Sequence, residues 1–291
     1  MDAKRELFES SLVPSPAQYD VLLPPGYDTS DKTYPLLYWL HGGGGPEMPA
    51  NFLGLQAPRL NALWVDESLT EMVVVTPHCG VFPNNYLDFP DGSRHWERHI
   101  ASELLEHLRT KYRIAQNRAG TFISGVSMGG LGALTIGLKH LETFAAIVAY
   151  EPQISGTFDK PDGYPEFYTQ DFHDQNQPAN IVRDKPDAIR ESGVQIYFEC
   201  GCRDELGFFM GTNLLHNTLL ANNIHHEYKY VYGAGHVDES FEWRVTDGLA
   251  FLERAIHPPV MNTPPARTLS GADQMATDMT AFLKSRWDEI L

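Results

Sequence analysis

The sequence predicts an α/β fold, with a mostly parallel central sheet, helices on both faces and a lid-like insertion. Three observations lead to it. Short apolar runs recur at 18–23, 34–40, 72–76, 121–126, 145–150, 194–200 and 227–232. Helical patterns alternate with them, which is the rhythm of strands joined by crossover helices. The chain's 291 residues, 42% hydrophobic and 21% charged, are enough for one domain with a sizeable core.

Each element has a local reason. The apolar runs read as strands in the interior of a sheet. Ile100, Leu104, Leu105 and Leu108 share one helical face, and 128–139 is rich enough in Gly, Ala and Leu to pack closely on a sheet. The stretches 208–221 and 240–255 supply two more helices, each following a strand and a loop. The segment 151–193 breaks the rhythm, with Pro, Asp, Gln and the aromatics Phe158, Tyr164, Phe167, Tyr168 and Phe172. It reads as a packed lid over the site. The domain is expected to span 1–257. Pro258-Pro259 and Pro264-Pro265 then mark a linker within 258–291, and Ser270-x-x-Asp273 reads as a capping box opening a C-terminal helix. The stripe Met275, Met279, Phe282 and Ile290 on that helix would dock on the domain or on a second copy of the chain, so a homo-oligomer is an open expectation.

Composition removes several function classes. With 22 Lys plus Arg against 38 Asp plus Glu the net charge is -16, which repels phosphate backbones and anionic membrane surfaces. Neither nucleic acid nor membrane is an expected partner. Residues 1–10 mix charges and lead into no apolar run of signal-peptide type, and no stretch reaches the roughly 18 apolar residues of a membrane span. Three cysteines, Cys79, Cys200 and Cys202, are too few for a disulfide framework and lack zinc-site spacing. A cytoplasmic location fits, and no metal is expected; a secreted mature form is compatible with the same residues.

The chemistry starts at Gly125-Val126-Ser127-Met128-Gly129, a G-x-S-x-G motif between an apolar strand and a small-residue helix. There a serine is presented on a tight turn, small neighbours avoid clashes, and the helix N-terminus favours developing negative charge. A second glycine-rich element, His41-Gly42-Gly43-Gly44-Gly45, follows the run 34–40. It suits an oxyanion loop, with one backbone N–H from Gly43 or Gly44 and the other from Met128. His41 reads as a brace for the loop. No Walker-type lysine motif follows, so a phosphate cradle is disfavoured.

A serine hydroxyl needs a base, and among the 12 histidines His236 sits where one belongs, in the loop after the last strand. His225 and His226 come too early and His257 too late. The carboxylate that orients the base is expected at the end of a neighbouring strand. Asp204, Glu205 and Glu151 all satisfy that, while Asp238 lies too close in sequence to His236. Tyr86, Phe89 and Trp96 could line an aromatic-acyl pocket, with Tyr86 and Trp96 the candidate substrate contacts.

These residues resemble the esterase D family, the putative-esterase branch of the α/β-hydrolases that includes feruloyl and acetylxylan esterases, S-formylglutathione hydrolases and mycolyltransferases. The resemblance runs from Gln18 to Ala255. It is carried by the run 34–42, by 125–133 reading GVSMGGLGA, by Gly201-x-x-Asp204, and by Gly235-His236 with Trp243 downstream. It implies an α/β-hydrolase fold, a serine esterase needing no cofactor, and Asp204 as the acid. Leu131 stands where S-formylglutathione hydrolases usually carry His, which disfavours that subgroup. The expected function is hydrolysis of small soluble or carbohydrate-linked acyl esters of feruloyl or acetyl type through an acyl-enzyme. The alternatives are acyl transfer to an alcohol or sugar by the same triad and, less favoured, a non-catalytic binding protein.

Overall fold

A computed structural model describes residues 2–44, 47–79, 85–155, 157, 158, 160 and 164–258. Residues 1–257 form one compact unit; the expected linker and C-terminal helix lie outside the described residues, apart from Pro258. Among the described residues no helix is long and apolar enough to cross a membrane.

The sheet has eight strands: β1 (Lys4–Phe8), β2 (Ala17–Leu22), β3 (Leu36–Leu40), β4 (Val73–Pro77), β5 (Thr121–Val126), β6 (Ala146–Tyr150), β7 (Gln195–Gly201) and β8 (Glu227–Val231). Their spatial order is β1-β2-β4-β3-β5-β6-β7-β8. β1 and β2 pair antiparallel, as do β2 and β4, and every other pairing is parallel. The helices are α1 (Glu47–Val65), α2 (Trp96–Arg98), α3 (Leu104–Lys111), α4 (Met128–Lys139), α5 (Gln170–Gln175), α6 (Pro178–Asp184), α7 (Pro186–Ser192), α8 (Phe209–Ala221) and α9 (Phe241–Ile256). A π-helical stretch, His99–Glu103, joins α2 to α3.

Side chains alternate across the strands, so each interior strand feeds two cores. Leu36, Tyr38 and Leu40 of β3 face one core with Ile123, Ile147, Ile196 and the helices α3, α4 and α8. Leu37 and Trp39 face the other with Phe122, Val148, Tyr197, α1 and α9. Coverage of both faces is why β3, β4, β5 and β6 are buried along their whole length.

Three features depart from the sequence expectation. Lys4–Phe8 forms an edge strand that its charges had hidden; Arg5 on it pairs with Asp20 at 3.1 Å. α1 was also hidden, because Pro58 interrupts its pattern. The segment 151–193 is not wholly irregular. Two of its prolines, Pro178 and Pro186, open helices at the position where a missing N–H costs nothing, and Thr169 caps α5 by accepting from Phe172 N–H at 3.2 Å.

The parallel strands all end on one side of the sheet, the side on which open α/β sheets place their sites. There β3 runs into the glycine loop, β5 into Ser127, β6 into Glu151, β7 toward Asp204 and β8 toward His236.

Candidate active site

The turn at Ser127 is made by what its neighbours lack. A Cβ on Gly125 would lie 2.1 Å from Gly129 O, one on Gly129 would lie 2.3 Å from Leu40 O, and one on Gly130 would lie 2.9 Å from Tyr150 O. Only glycine lets α4 press this closely on the ends of β3, β5 and β6. Ser127 itself sits at φ 56° and ψ -116°, a conformation an L-residue adopts only under constraint. Its N–H donates to Tyr150 O at 2.9 Å, and its carbonyl accepts from Leu131 and Gln153 N–H, each at 3.0 Å. The constraint aims the hydroxyl outward at the N-terminus of α4.

His236 meets it there, with Nε2 2.9 Å from Ser127 Oγ. The histidine loop is held by charged and polar partners. Its backbone N–H donates to Glu205 Oε2 at 3.1 Å, and Gly235 N–H donates to Asp238 Oδ2 at 2.6 Å. Arg244 Nη2 donates to His236 O at 3.1 Å. The Phe208 ring stands edge-on to the imidazole at 5.4 Å.

Behind the imidazole, Nδ1 lies 3.4 Å from Asp204 Oδ2 and 4.0 Å from Glu151 Oε2. The first contact is long for a charge-assisted hydrogen bond. Asp204 is buried, which alone would raise its carboxyl; the nearby His236 imidazole and the Leu206 N–H, 2.8 Å from Oδ1, hold it below the usual value instead. Ser127, His236 and Asp204 therefore converge, while Glu205 and Asp238 bind the backbone of the histidine loop.

On the other side of the serine, a Cβ on Gly42 would lie 3.6 Å from Ser127 Cβ, and one on Gly43 3.9 Å from Met128 Cβ. The glycine loop thus runs alongside Ser127, with Gly43 beside Met128. Gly44 is exposed and adopts φ 149°. His41 is buried, and that burial lowers its pKa to about 4, so it is neutral; Nδ1 donates to Gly42 O at 2.8 Å. Tyr86 OH donates to His41 O at 3.0 Å from beneath.

Tyr86 and Trp96, expected as substrate contacts, are 0% and 5% exposed. Tyr86 packs on Gly132, where a Cβ would lie 2.8 Å from its ring, and Trp96 stands edge-on to His99 at 5.5 Å. Both belong to the core and present essentially no surface to a ligand, because α4 and the π-helical stretch close over them.

The residues that sequence reasoning missed are Arg244 and Glu199. Arg244 Nη1 binds Glu151 Oε1 and, at 3.0 Å, Glu199 Oε2. All three side chains are at most 1% exposed. Burial pushes Glu199 up to about 8 against the pull of Arg244. A signal existed. Arg244 falls at helical spacing with buried Gly248 and Phe251, and Glu199 interrupts an apolar strand; a charge on a buried stripe requires a partner.

Comparison with known proteins places this geometry. The profile of the family described as "Putative esterase" matches residues 10–252. An esterase of Mycobacterium tuberculosis is 33% identical over 144 residues, 48% of this chain and 30% of that protein. An acetyl esterase of Caldicellulosiruptor saccharolyticus is 30% identical over 157 residues, 54% of this chain and 55% of that protein. This chain therefore matches about a third and about half the length of these two curated relatives. Among solved structures, a ferulic acid esterase superposes with a TM-score of 0.75 at 24% identity, covering 88% of this chain and 99% of that one. An S-formylglutathione hydrolase from Agrobacterium tumefaciens gives 0.64 at 18% identity, with 88% and 99% covered. At these identities the likeness is one of fold, the α/β-hydrolase fold.

Proposed function

The chain belongs to the putative esterase family, and from that premise we propose that it is a serine carboxyl-ester hydrolase working through an acyl-enzyme. The observation that carries the reading is the 2.9 Å contact between Ser127 Oγ and His236 Nε2 at a constrained strand-to-helix turn, with Asp204 behind the imidazole.

His236 takes the proton of Ser127 as the hydroxyl attacks the ester carbonyl. The oxyanion that forms is met by the Met128 N–H at the start of α4 and by an N–H of the glycine loop, from Gly43 or Gly44; the nearness of Gly43 to Met128 favours Gly43. The imidazolium then gives its proton to the leaving alcohol. Water enters by the same route, is deprotonated by His236, and releases the acid while Ser127 regains its proton. Asp204 holds the ring and stabilises its charge throughout.

The substrates we propose are acyl esters of acetyl or feruloyl type on small or carbohydrate alcohols, in keeping with the named activities of the acetyl esterase and ferulic acid esterase relatives. The 151–193 segment, with the aromatic cluster of Tyr164, Tyr168 and Phe172, would cover the acyl end.

Ser127→Ala is expected to lower kcat about a millionfold and to abolish labelling by a fluorophosphonate. Near-normal turnover by that variant would end the proposal. A panel of acetyl, longer aliphatic, feruloyl and thioester substrates, run with and without added alcohol, separates hydrolysis from acyl transfer. Free acid in both conditions is the expected product.

A further inference from the structure

The imidazole of His236 faces two carboxylates from adjacent strand ends. Glu151 is the first residue beyond β6 and Asp204 the third beyond β7; these strands pair in parallel with Tyr150 opposite Glu199, so the two acids emerge side by side. From Nδ1, Asp204 Oδ2 is 3.4 Å away and Glu151 Oε2 4.0 Å. The same two oxygens are joined by the Cys200 thiol, which donates to Glu151 Oε2 at 3.1 Å and lies 3.6 Å from Asp204 Oδ2.

Glu151 is fixed in this place. It is 0% exposed and held at φ 44°, in the left-handed region that a glutamate rarely adopts. Its oxygens accept the Gly201 N–H at 3.1 and 3.2 Å, and Oε1 takes Arg244 Nη1. Arg244 engages Oε1, so Oε2 is not committed to the guanidinium. Oε2 instead stands with Asp204 Oδ2 on the Nδ1 side of the base.

We infer that Glu151 is a second carboxylate partner of His236, a positioning residue that shares with Asp204 the stabilisation of the imidazolium. The inference rests on the Ser127–His236 reading above. An opposite charge within about 4–6 Å favours a charged group. Burial holds the Glu151 carboxyl above its usual value against the opposing pull of the Arg244 guanidinium. The other groups bordering the pair are Glu199 and Cys200 on β7, Asp204 and Glu205 in the loop after it, and Asp238 after His236.

The test compares Glu151→Gln, Asp204→Asn and the double variant in kcat, KM, thermal unfolding and the pH dependence of kcat/KM. Loss of a neighbouring negative charge makes the imidazolium easier to deprotonate, so the acid limb of the profile moves to lower pH in Glu151→Gln. Its kcat falls about tenfold with KM unchanged, and the double variant departs from the product of the two single effects. A Glu151→Gln enzyme whose kcat and acid limb match the parent overturns the inference, whatever its melting temperature, and leaves Glu151 a counter-ion for Arg244. Should the single variant not fold, Glu151→Gln is made in an Arg244→Gln background and compared with Arg244→Gln alone, and the same shift of the acid limb between those two decides. Fluorophosphonate labelling of Ser127 in the parent keeps the two readings apart. Labelling without the acid-limb shift sinks only the role of Glu151, whereas absence of labelling sinks the serine mechanism itself.

Discussion

The turn that carries Ser127 and the loop that carries His236 meet across one hydrogen bond and are built from opposite materials. At the serine the constraint is steric: Gly125, Gly129 and Gly130 let backbone touch backbone, with no charged side chain involved. At the histidine it is electrostatic. Glu205, Asp238 and Arg244 hold the loop through its backbone, and Arg244 is anchored in turn by two buried glutamates. A site made this way has a Ser127 side sensitive to volume and a His236 side sensitive to charge. The first should fail by crowding at every pH, and the second by titration.

Substitutions can separate these two modes of failure. The largest effect is expected at the serine turn. In Gly129→Ala the new methyl meets the carbonyl oxygens of Leu40 and His41, at 2.3 and 2.6 Å before relaxation. Overpacking of this kind costs about 3 kcal/mol, which for a chain of this size lowers Tm by on the order of 10 °C. Calorimetry at pH 6 and pH 9 should return the same deficit.

The charged side should behave differently. Glu199, pushed up to about 8, keeps its proton in the folded state where the unfolded chain has already released it. The folded state therefore binds more protons, and stability falls as pH rises from the ordinary carboxylate range through about 8. Glu199→Gln stays neutral throughout. Its Tm should lie nearest the parent's at pH 4 and exceed it by a margin that widens through pH 6 to pH 9. Parallel curves for the two proteins would refute a buried, protonated Glu199. The smallest effect is expected from Tyr86→Phe, which removes the hydroxyl bonded to His41 O and to the Cys79 thiol and should cost about 1–2 kcal/mol with little change in kcat. A loss of kcat well beyond that would mean the glycine loop depends on polar support, and the contrast between the two sides would blur.

The same contrast explains what could be read in the sequence. Ser127 and its glycines are contiguous, and the physics that requires them acts over a few residues, so the motif is visible in a string. The interior strands were visible because burial on both faces makes them continuously apolar. The choice among Asp204, Glu205 and Glu151 was not settled by spacing, because it depends on β6 and β7 being neighbours and on which way each strand-end side chain turns. Arg244 stayed hidden for the same reason. Its partners lie 45 and 93 residues away, and only the fold reveals that its helix face is the buried one. Tyr86 and Trp96 misled because an aromatic in a loop looks alike whether it lines a pocket or props one up.

The carbonyl of Ser127 accepts from Gln153, Gly130 lies against Pro152, and Gly211 of α8 lies against Ile154. The chain leaving β6 is thereby moored to Ser127 and α4 for its first residues, and the segment that follows has a fixed point of departure. β7 gives it a fixed point of return at Gln195. The stretch between is tied to the site as well: Thr135 Oγ1 of α4 donates to Asn176 O at 3.0 Å and Lys139 Nζ to Asn176 Oδ1 at 2.7 Å, so a change in α5 or α6 would be transmitted along the helix that begins just after Ser127.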